Sequence, residues 1–275
     1  PTRRRSIGRN LGVLPTVDLV PCDVHDATAL PGLLDGADAV VHLVAILHGD
    51  AAAFDRVHRQ LPEKLAAACA SAGVRRVVHV SALGVGTAAP SAYLRSKAAG
   101  EAAWQQAATA GAFDLNILRP SVIFGAEDRF TNLFARLLRV FPVMPLAGAD
   151  ASFQPVAVGD VASAVAACLQ GRAPAGVLEC AGPEALTLRQ IVQQVGAMAG
   201  CPRPVIGLPE WAGLLQAAAM GWLPGEPLMS RDNVLSMRVP NVATGTLPGL
   251  ADLGIPPDAL RTLAAHFNPP DPRRR

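Results

Sequence analysis

The sequence predicts an α/β fold built on a doubly wound parallel sheet, and three features of the chain favour this class. Its 275 residues are 51% apolar and only 17% charged, a composition that can bury a large core. Residues 39–47 are almost continuously apolar, as expected of a parallel strand buried on both faces. Strand-like runs then alternate with helical patterns at the spacing of strand–helix–strand units.

The individual elements of this sheet can be followed along the first 120 residues. We predict strands at residues 39–47, 74–80 and 114–118, and helices at residues 27–34, 61–72 and 92–110. Asp26 is a plausible N-cap of the first helix, because its carboxylate can accept a backbone N–H bond. Gly73 follows the second helix at the position where a left-handed residue commonly ends a helix.

The second half of the chain has a looser pattern. We predict a helix at residues 129–140, a strand at 153–158, a helix at 161–169 capped by Asp160, and a helix ending near Met198 capped by Thr187. Residues 202–240 are rich in Pro, Gly, Trp and Met, which favours a small lid-like lobe.

These patterns divide the chain into three expected parts. Residues 1–170 would form the sheet domain, to which a strand at residues 177–181 could return. Residues 182–267 would form a small C-terminal substrate or interaction lobe, and residues 268–275 a disordered tail.

Composition limits the classes of partner and site. A net charge of only +2 gives no whole-chain electrostatic case for nucleic acid. The five cysteines are scattered without a C-x-x-C pair, which indicates a reducing compartment and no metal site. No apolar run reaches the roughly 18 residues of a membrane span, and no signal peptide is visible. We therefore expect a cytoplasmic protein without a transmembrane segment.

The strongest chemical motif contains the only tyrosine of the chain. Tyr93 precedes Lys97 by four residues, so the two side chains would share one face of a helix. The lysine charge is expected to lower the pKa of the phenol, allowing Tyr93 to exchange a proton with a substrate oxygen. Ser81 ends the preceding predicted strand and adds a hydroxyl. Because a bare Tyr-x-x-x-Lys occurs often by chance, the order of the surrounding elements is what gives this motif weight.

A glycine-rich turn, which would bind a pyrophosphate, is missing from the start of the chain. The first 35 residues contain only Gly8, Gly12 and Gly32, with no strand before them. The chain begins with Pro1, and the order of elements suggests that it starts just after the second strand of such a sheet. We therefore predict a sheet that lacks its first strand, turn and helix.

Several motifs, in order, resemble one enzyme family over nearly the whole chain. They are Ala37-Asp-Ala-Val-Val-His-Leu-Val-Ala45, Val78-His-Val-Ser-Ala-Leu-Gly84, Tyr93-Leu-Arg-Ser-Lys97, Leu118-Arg-Pro-Ser-Val-Ile-Phe-Gly125, Glu127-Asp-Arg-Phe130, Gln154-Pro-Val-Ala-Val-Gly-Asp-Val161 and Pro227-Leu-Met-Ser-Arg-Asp-Asn233. They resemble the atypical or extended short-chain dehydrogenase/reductases of the NAD-dependent epimerase/dehydratase type. Within that type, the chain is similar to the subgroup that contains the nucleotide-binding accessory subunit of respiratory complex I.

The resemblance implies a Rossmann-like fold and a site for a nicotinamide dinucleotide. It assigns catalytic roles to Tyr93, Lys97 and Ser81. No metal site is expected. It assigns cofactor contacts as follows: adenine to Asp23 and Val24, the loop under the cofactor to Val44, Ala45 and Ile46, the nicotinamide ribose to Tyr93 and Lys97, and the nicotinamide ring to the segment containing Pro120, Val122 and Ile123. Arg4 and Arg5 fall where the second strand ends, and arginine there favours the 2′-phosphate of NADP(H) over NAD(H).

Three functions remain open from the sequence. The first is an NADP(H)-linked oxidoreductase or epimerase-like enzyme that acts on an unidentified small molecule. The second is a non-catalytic nucleotide-binding assembly subunit of a respiratory complex, which could place the protein at a membrane surface. The third is an inactive truncated fragment. Trp211 and Leu215 could form a membrane or partner face, although packing within the lobe is the simpler interpretation. His42 and His79, inside apolar strands, are expected to be satisfied core histidines.

Overall fold

The computed structural model describes residues 11–220 and 229–267. The strands are β1 Ala39–His42, β2 Arg76–Val80, β3 Asp114–Pro120, β4 Ile123–Phe124, β5 Met144–Ala147, β6 Ser152–Phe153, β7 Val156–Ala157, β8 Gly176–Cys180, β9 Leu186–Thr187 and β10 Val205–Leu208. The helices are α1 Leu30–Leu34, α2 Ala51–Asp55, α3 Leu61–Ala72, α4 Ala92–Thr109, α5 Arg129–Val140, α6 Val158–Leu169, α7 Leu188–Met198, α8 Glu210–Met220, α9 Arg231–Ser236 and α10 Ala264–Phe267. A π-helical turn, Arg56–Gln60, joins α2 to α3, and 3₁₀ turns lie at Ala251–Leu253 and Leu260–Leu263.

The main sheet is parallel and has the order β1-β2-β3-β8. The predicted α/β class with a Rossmann-like parallel sheet is therefore confirmed. Strand β1 ends at His42 rather than at residue 47 as predicted, and the chain continues as a loop. Leu43 and Leu47 in that loop are more than half exposed, so the apolar run continues beyond the sheet.

Helices cover both faces of this sheet, because alternate strand residues point to opposite sides. On one face, Val77 and Ile117 pack with Trp104 of α4 and with α1 and α3. On the other, Val78 and Leu118 pack against α6. Helix α3 ends at Gly73, whose φ of 70° is the left-handed conformation that glycine adopts most easily.

Residues beyond the third strand build a second core. Its centre includes Phe134 of α5, Leu146 of β5 and Ile191 of α7, and β5 pairs in parallel with β10. Thr187 caps α7 in a reciprocal capping box with Gln190, as predicted for the threonine.

The assignment of Asp160 as the N-cap of the following helix was wrong. Helix α6 begins earlier, at Val158, and Asp160 lies in its first turn. Its carboxylate instead accepts a bond from the backbone N–H of Asp258 at 2.8 Å, because that later segment returns to this end of the helix. Strand β8 returns to the edge of the main sheet beside β3.

Candidate functional site

The site is organised by the N-terminal end of α4, which carries Tyr93 and Lys97 on consecutive turns. Ser91 caps this helix by accepting a bond from the N–H of Leu94 at 3.2 Å. The helix then packs along the face of the sheet formed by β2 and β3. This placement brings the predicted pair to the carboxyl ends of the parallel strands, the edge at which open α/β sheets bind ligands.

Lys97 is fixed against the end of β2. The residue is 2% exposed, and its Nζ donates to the carbonyl oxygen of Val80 at 2.7 Å. Burial lowers the pKa of Lys97 to about 8, while the negative charge of Glu101 acts in the opposite direction. Glu101 is itself held by Arg119 of β3 through two hydrogen bonds of 2.9 and 2.5 Å. The lysine therefore has a fixed position beside the strand end.

Tyr93 behaves differently from the sequence expectation. Burial raises the pKa of Tyr93 to about 12, so its phenol is protonated at neutral pH. The sequence argument considered only the charge of Lys97 on the same helix face. In the folded protein, the loss of solvation on burial sets the direction of the shift.

Ser81 supplies an unused hydroxyl at the same strand end. The residue directly follows Val80, whose carbonyl holds Lys97, and it is 6% exposed. Its Oγ is buried and has no hydrogen-bond partner among the described residues. Burying a hydroxyl without a hydrogen-bond partner costs free energy. This atom therefore suits a site in which a bound molecule would supply the missing hydrogen bond.

His58 connects Tyr93 to the loop that follows β1. Its Nε2 accepts a bond from the N–H of Ile46 at 3.1 Å, and its Nδ1 lies 2.8 Å from the hydroxyl of Ser96. Ser96 in turn donates to the carbonyl oxygen of Tyr93 at 2.8 Å. These partners require a neutral ring with its proton on Nδ1. Burial, followed by the charge of Lys97, lowers the pKa of His58 to about 4, which keeps it neutral.

The rings around this connection form a small aromatic group. The ring of His58 lies 5.6 Å from that of Tyr93 at an interplanar angle of 82°, and Phe54 lies within 6.2 Å of Tyr93. His58 belongs to the π-helical turn, a distortion that frequently marks functional sites. Nothing in the sequence predicted this role, because the turn and its partners are set by contacts far along the chain.

Most of the residues predicted to contact adenine or to form the loop under the cofactor line one cavity. Val24, Val44, Ala45 and Ile46 line a cavity of about 660 Å³ beside β1. Asp23 is not among its lining residues, and its carboxylate accepts a bond from the N–H of His25 at 3.1 Å. The cavity is largely apolar in its lining and is of the size that small ligands occupy.

The segment predicted to contact the nicotinamide follows β3. Pro120 is the last residue of that strand, Val122 lies in the connection and Ile123 begins β4. The N–H of Val122 donates to the side-chain oxygen of Asn241 at 3.0 Å, so a distant residue holds this segment in place. Asn241 was not recognised from the sequence.

His42 and His79 form a pair beneath the site rather than two independent core residues. Their Nδ1 atoms are 2.9 Å apart and their rings stack at 5.0 Å. Each Nε2 lacks a hydrogen-bond partner among the described residues. The expectation that both rings would have all their hydrogen bonds made was therefore wrong. Burial lowers the pKa of His42 to about 3 and that of His79 in the same direction, which keeps both rings neutral.

Two predicted features involve residues that the structure does not describe. Arg4 and Arg5, on which the preference for NADP(H) rests, and the tail 268–275 lie outside the described residues.

Within residues 11–220 and 229–267, no group of three or more His, Cys, Asp or Glu side chains could hold a metal ion. In the same part of the chain, no helix combines the length and hydropathy needed to cross a membrane.

Comparison with known proteins places the chain in a family context. The model of the NAD dependent epimerase/dehydratase family matches residues 2–179. The mouse mitochondrial NADH dehydrogenase (ubiquinone) 1 alpha subcomplex subunit 9 is 31% identical over 263 residues, covering 92% of this chain and 67% of the mouse protein. A ceramide reductase of Caulobacter vibrioides is 29% identical over 208 residues, covering 74% of this chain and 63% of the reductase.

Solved structures share the fold at low identity. DesIV, the dTDP-glucose 4,6-dehydratase of Streptomyces venezuelae crystallised with NAD and TYD, superimposes with a TM-score of 0.64 and 22% identity, covering 86% of this chain and 83% of DesIV. The UDP-glucose 4-epimerase of Thermus thermophilus, in complex with NAD, gives a TM-score of 0.62 and 22% identity, covering 83% of this chain and 87% of the epimerase. At this identity, the likeness establishes the fold alone.

Proposed function

Because the chain belongs to the NAD dependent epimerase/dehydratase family, we propose that it binds a nicotinamide dinucleotide and uses Tyr93 as an acid/base. The observation that carries this proposal is the buried hydroxyl of Ser81, which has no partner among the described residues. It lies at the same strand end as Lys97. The cavity lined by Val44 and Ile46 gives the dinucleotide a second, apolar contact region.

The residues of this site have separate roles in the proposed reaction. A bound dinucleotide would supply or accept the hydride. Tyr93 is protonated at neutral pH, so it is suited to donate a proton to a substrate carbonyl oxygen that becomes a hydroxyl. Ser81 would orient that oxygen through its free hydroxyl. Lys97 would hold the ribose and stabilise the phenolate that remains after the proton is donated.

We further propose that NADP(H) is preferred over NAD(H). The support comes from Arg4 and Arg5, since guanidinium groups bind a 2′-phosphate in a bidentate manner. Both structures compared above contain NAD, so the proposed preference rests on the basic residues of this sequence alone. A parallel titration with NADPH and NADH measures it.

The catalytic assignment is tested with Tyr93→Phe, which removes the phenol oxygen and keeps the ring. Reduction of NADP⁺ or NAD⁺ would be followed with ceramide, whose hydroxyl groups can be oxidised in the reverse of the proposed step, and dinucleotide-dependent conversion with UDP-glucose and dTDP-glucose, the compounds named in the proteins above. We expect any wild-type turnover to fall by at least 10²-fold, as on loss of a general acid. Dinucleotide affinity should hardly change. Turnover that persists in Tyr93→Phe would contradict the assignment of Tyr93 as the acid/base.

A second candidate function is that of a non-catalytic nucleotide-binding subunit of a respiratory complex. The 31% identity to a subunit of the mouse NADH dehydrogenase favours it. Such a subunit would associate with a membrane surface through its partners. Copurification of the tagged chain with a large membrane complex, together with a complex of unchanged activity in Tyr93→Phe, would select this function over catalysis.

A further inference from the structure

The C-terminal part of the chain returns to the candidate site through residues 230–241, here called the clamp segment. Asp232 lies in the first turn of α9. Its Oδ1 accepts a bond from the N–H of Ala92 at 2.7 Å, and its Oδ2 accepts one from the N–H of Tyr93 at 2.9 Å. One carboxylate thus satisfies two of the backbone donors that the first turn of a helix leaves without partners.

The carboxylate itself is held firmly within the clamp segment. Ser230 caps α9 by accepting a bond from the N–H of Asn233 at 3.2 Å, and the Asn233 side chain accepts from the N–H of Ser230 at 2.9 Å. This reciprocal capping box fixes the turn that contains Asp232. A negative charge at the N-terminus of α4 is also favoured by the helix dipole.

The far end of the clamp segment contacts the other elements of the site. The Oδ1 of Asn241 accepts bonds from the Ser121 hydroxyl at 2.7 Å and from the N–H of Val122 at 3.0 Å. Its Nδ2 donates to the carbonyl oxygen of Leu83 at 3.4 Å, in the loop after Ser81. The clamp segment therefore contacts the loop after β2, the start of α4 and the connection after β3.

We propose that Asp232 is a positioning residue for Tyr93, so that the placement of the acid/base depends on the clamp segment of the C-terminal part. The inference rests on the proposed function, since it gives that function's acid/base a distant support. Asp232 bonds the backbone N–H of Tyr93 itself, at 2.9 Å, and it lies 139 positions away along the chain. A movement of α9 against α4 would therefore move the phenol relative to Ser81 and the cofactor loop.

The test uses the fact that Tyr93 is the only tyrosine of the protein. Full-length protein carrying ¹³C-labelled tyrosine gives ring signals from this residue alone. The variants are Asp232→Ala, which removes both bonds, and Asp232→Asn, whose one side-chain oxygen can keep a single bond. The matched control is Asp252→Ala, because the Asp252 carboxylate also accepts a backbone bond, from Gly249 at 2.7 Å, but lies away from α4.

We expect the Tyr93 ring signals to shift in Asp232→Ala, to shift less in Asp232→Asn and to stay unchanged in Asp252→Ala. A role confined to stability would lower the melting temperature and leave the Tyr93 signals of the folded protein in place, which overturns the proposal. If Asp232→Ala does not fold, unchanged signals in folded Asp232→Asn overturn it equally. These spectra need no ligand, so a wild-type protein that binds no dinucleotide refutes the proposed function without deciding the role of Asp232.

Discussion

The ionisation of Tyr93 can be measured directly, because no other tyrosine contributes to the phenolate absorbance. Burial raises its pKa to about 12, above the ordinary value of about 10. The folded protein therefore retains the proton between pH 10 and 12, and this residue's contribution to stability is lost as the pH rises through that window. We expect an absorbance titration of the native protein to show the transition near pH 12, and the urea-unfolded chain to titrate near 10. A native transition at or below pH 10 would contradict the account.

The neutral state of His58 predicts a loss of stability in mild acid. Its folded pKa of about 4 lies below the ordinary value of about 6.5, so the unfolded chain takes up the proton first as the pH falls. The stability that His58 contributes is present above pH 6.5 and is lost as the pH falls toward 4. Between pH 7 and 5, urea unfolding should show that the wild type loses about 2 kcal/mol more than His58→Gln.

The control for that prediction is His266→Gln, which changes an exposed histidine that is far along the chain. This variant leaves the His58 ring and its bonds in place, so the loss of stability that comes from His58 should remain. If His58→Gln loses as much stability between pH 7 and 5 as the wild type, His58 is not the neutral, hydrogen-bonded ring inferred from its bonds to Ile46 and Ser96.

Sequence reasoning at this scale found the residue types of the site but not their environment. The spacing of Tyr93 and Lys97 correctly predicted one helix carrying both. The direction of the tyrosine pKa was wrong, because burial depends on packing from other elements. The role of His58 was missed for the same reason, since its partners Ile46 and Ser96 lie 12 and 38 positions away.

At the scale of elements, the packing of α4 against the π-helical turn depends on Gly100. A Cβ atom there would lie 2.1 Å from the carbonyl oxygen of His58, and a backbone atom cannot move away at low cost. We expect Gly100→Ala to lower the free energy of unfolding by about 1–3 kcal/mol, as overpacking does. Urea unfolding at neutral pH measures the change.

A second glycine provides the matched comparison. Gly159 lies in α6, and a Cβ atom there would meet nothing within 4 Å. Gly159→Ala should leave the free energy of unfolding unchanged or raise it by up to about 1 kcal/mol, because alanine favours the helix. Equal losses in the two variants would mean that the close approach at Gly100 does not constrain α4.

Several helix boundaries with local determinants were predicted well. The end of α3 at Gly73, the bounds of α5 and the cap of α7 by Thr187 all follow from residues within one helical turn. The cap assigned to Asp26 was wrong, because α1 begins only at Leu30 and the Asp26 carboxylate bonds Thr28 instead. The short β1 and the π-helical turn were not predicted, because periodicity alone cannot show where an apolar run leaves a sheet or where a helix gains an extra residue. The start of α6 was misplaced since Asp160 bonds a distant segment.

At the scale of the whole molecule, the candidate site is assembled from widely separated parts of the chain. The loop after β1, the helix α4 and the connection after β3 meet at the carboxyl edge of the sheet, and Asp232 and Asn241 bond to the latter two. The sheet class could be predicted from alternating patterns over the first 120 residues. Contacts across more than 100 positions could not, because no local pattern encodes them.

The central claim is that this edge of the sheet binds a nicotinamide dinucleotide, and a fluorescence titration of the protein with NADPH and then NADH tests it most directly. We predict saturable enhancement of the nicotinamide fluorescence, tighter for NADPH. Binding should weaken in Lys97→Met, which keeps the length of the side chain but removes the charge near the ribose. A folded, monodisperse wild-type protein that changes the fluorescence of neither dinucleotide would contradict the claim.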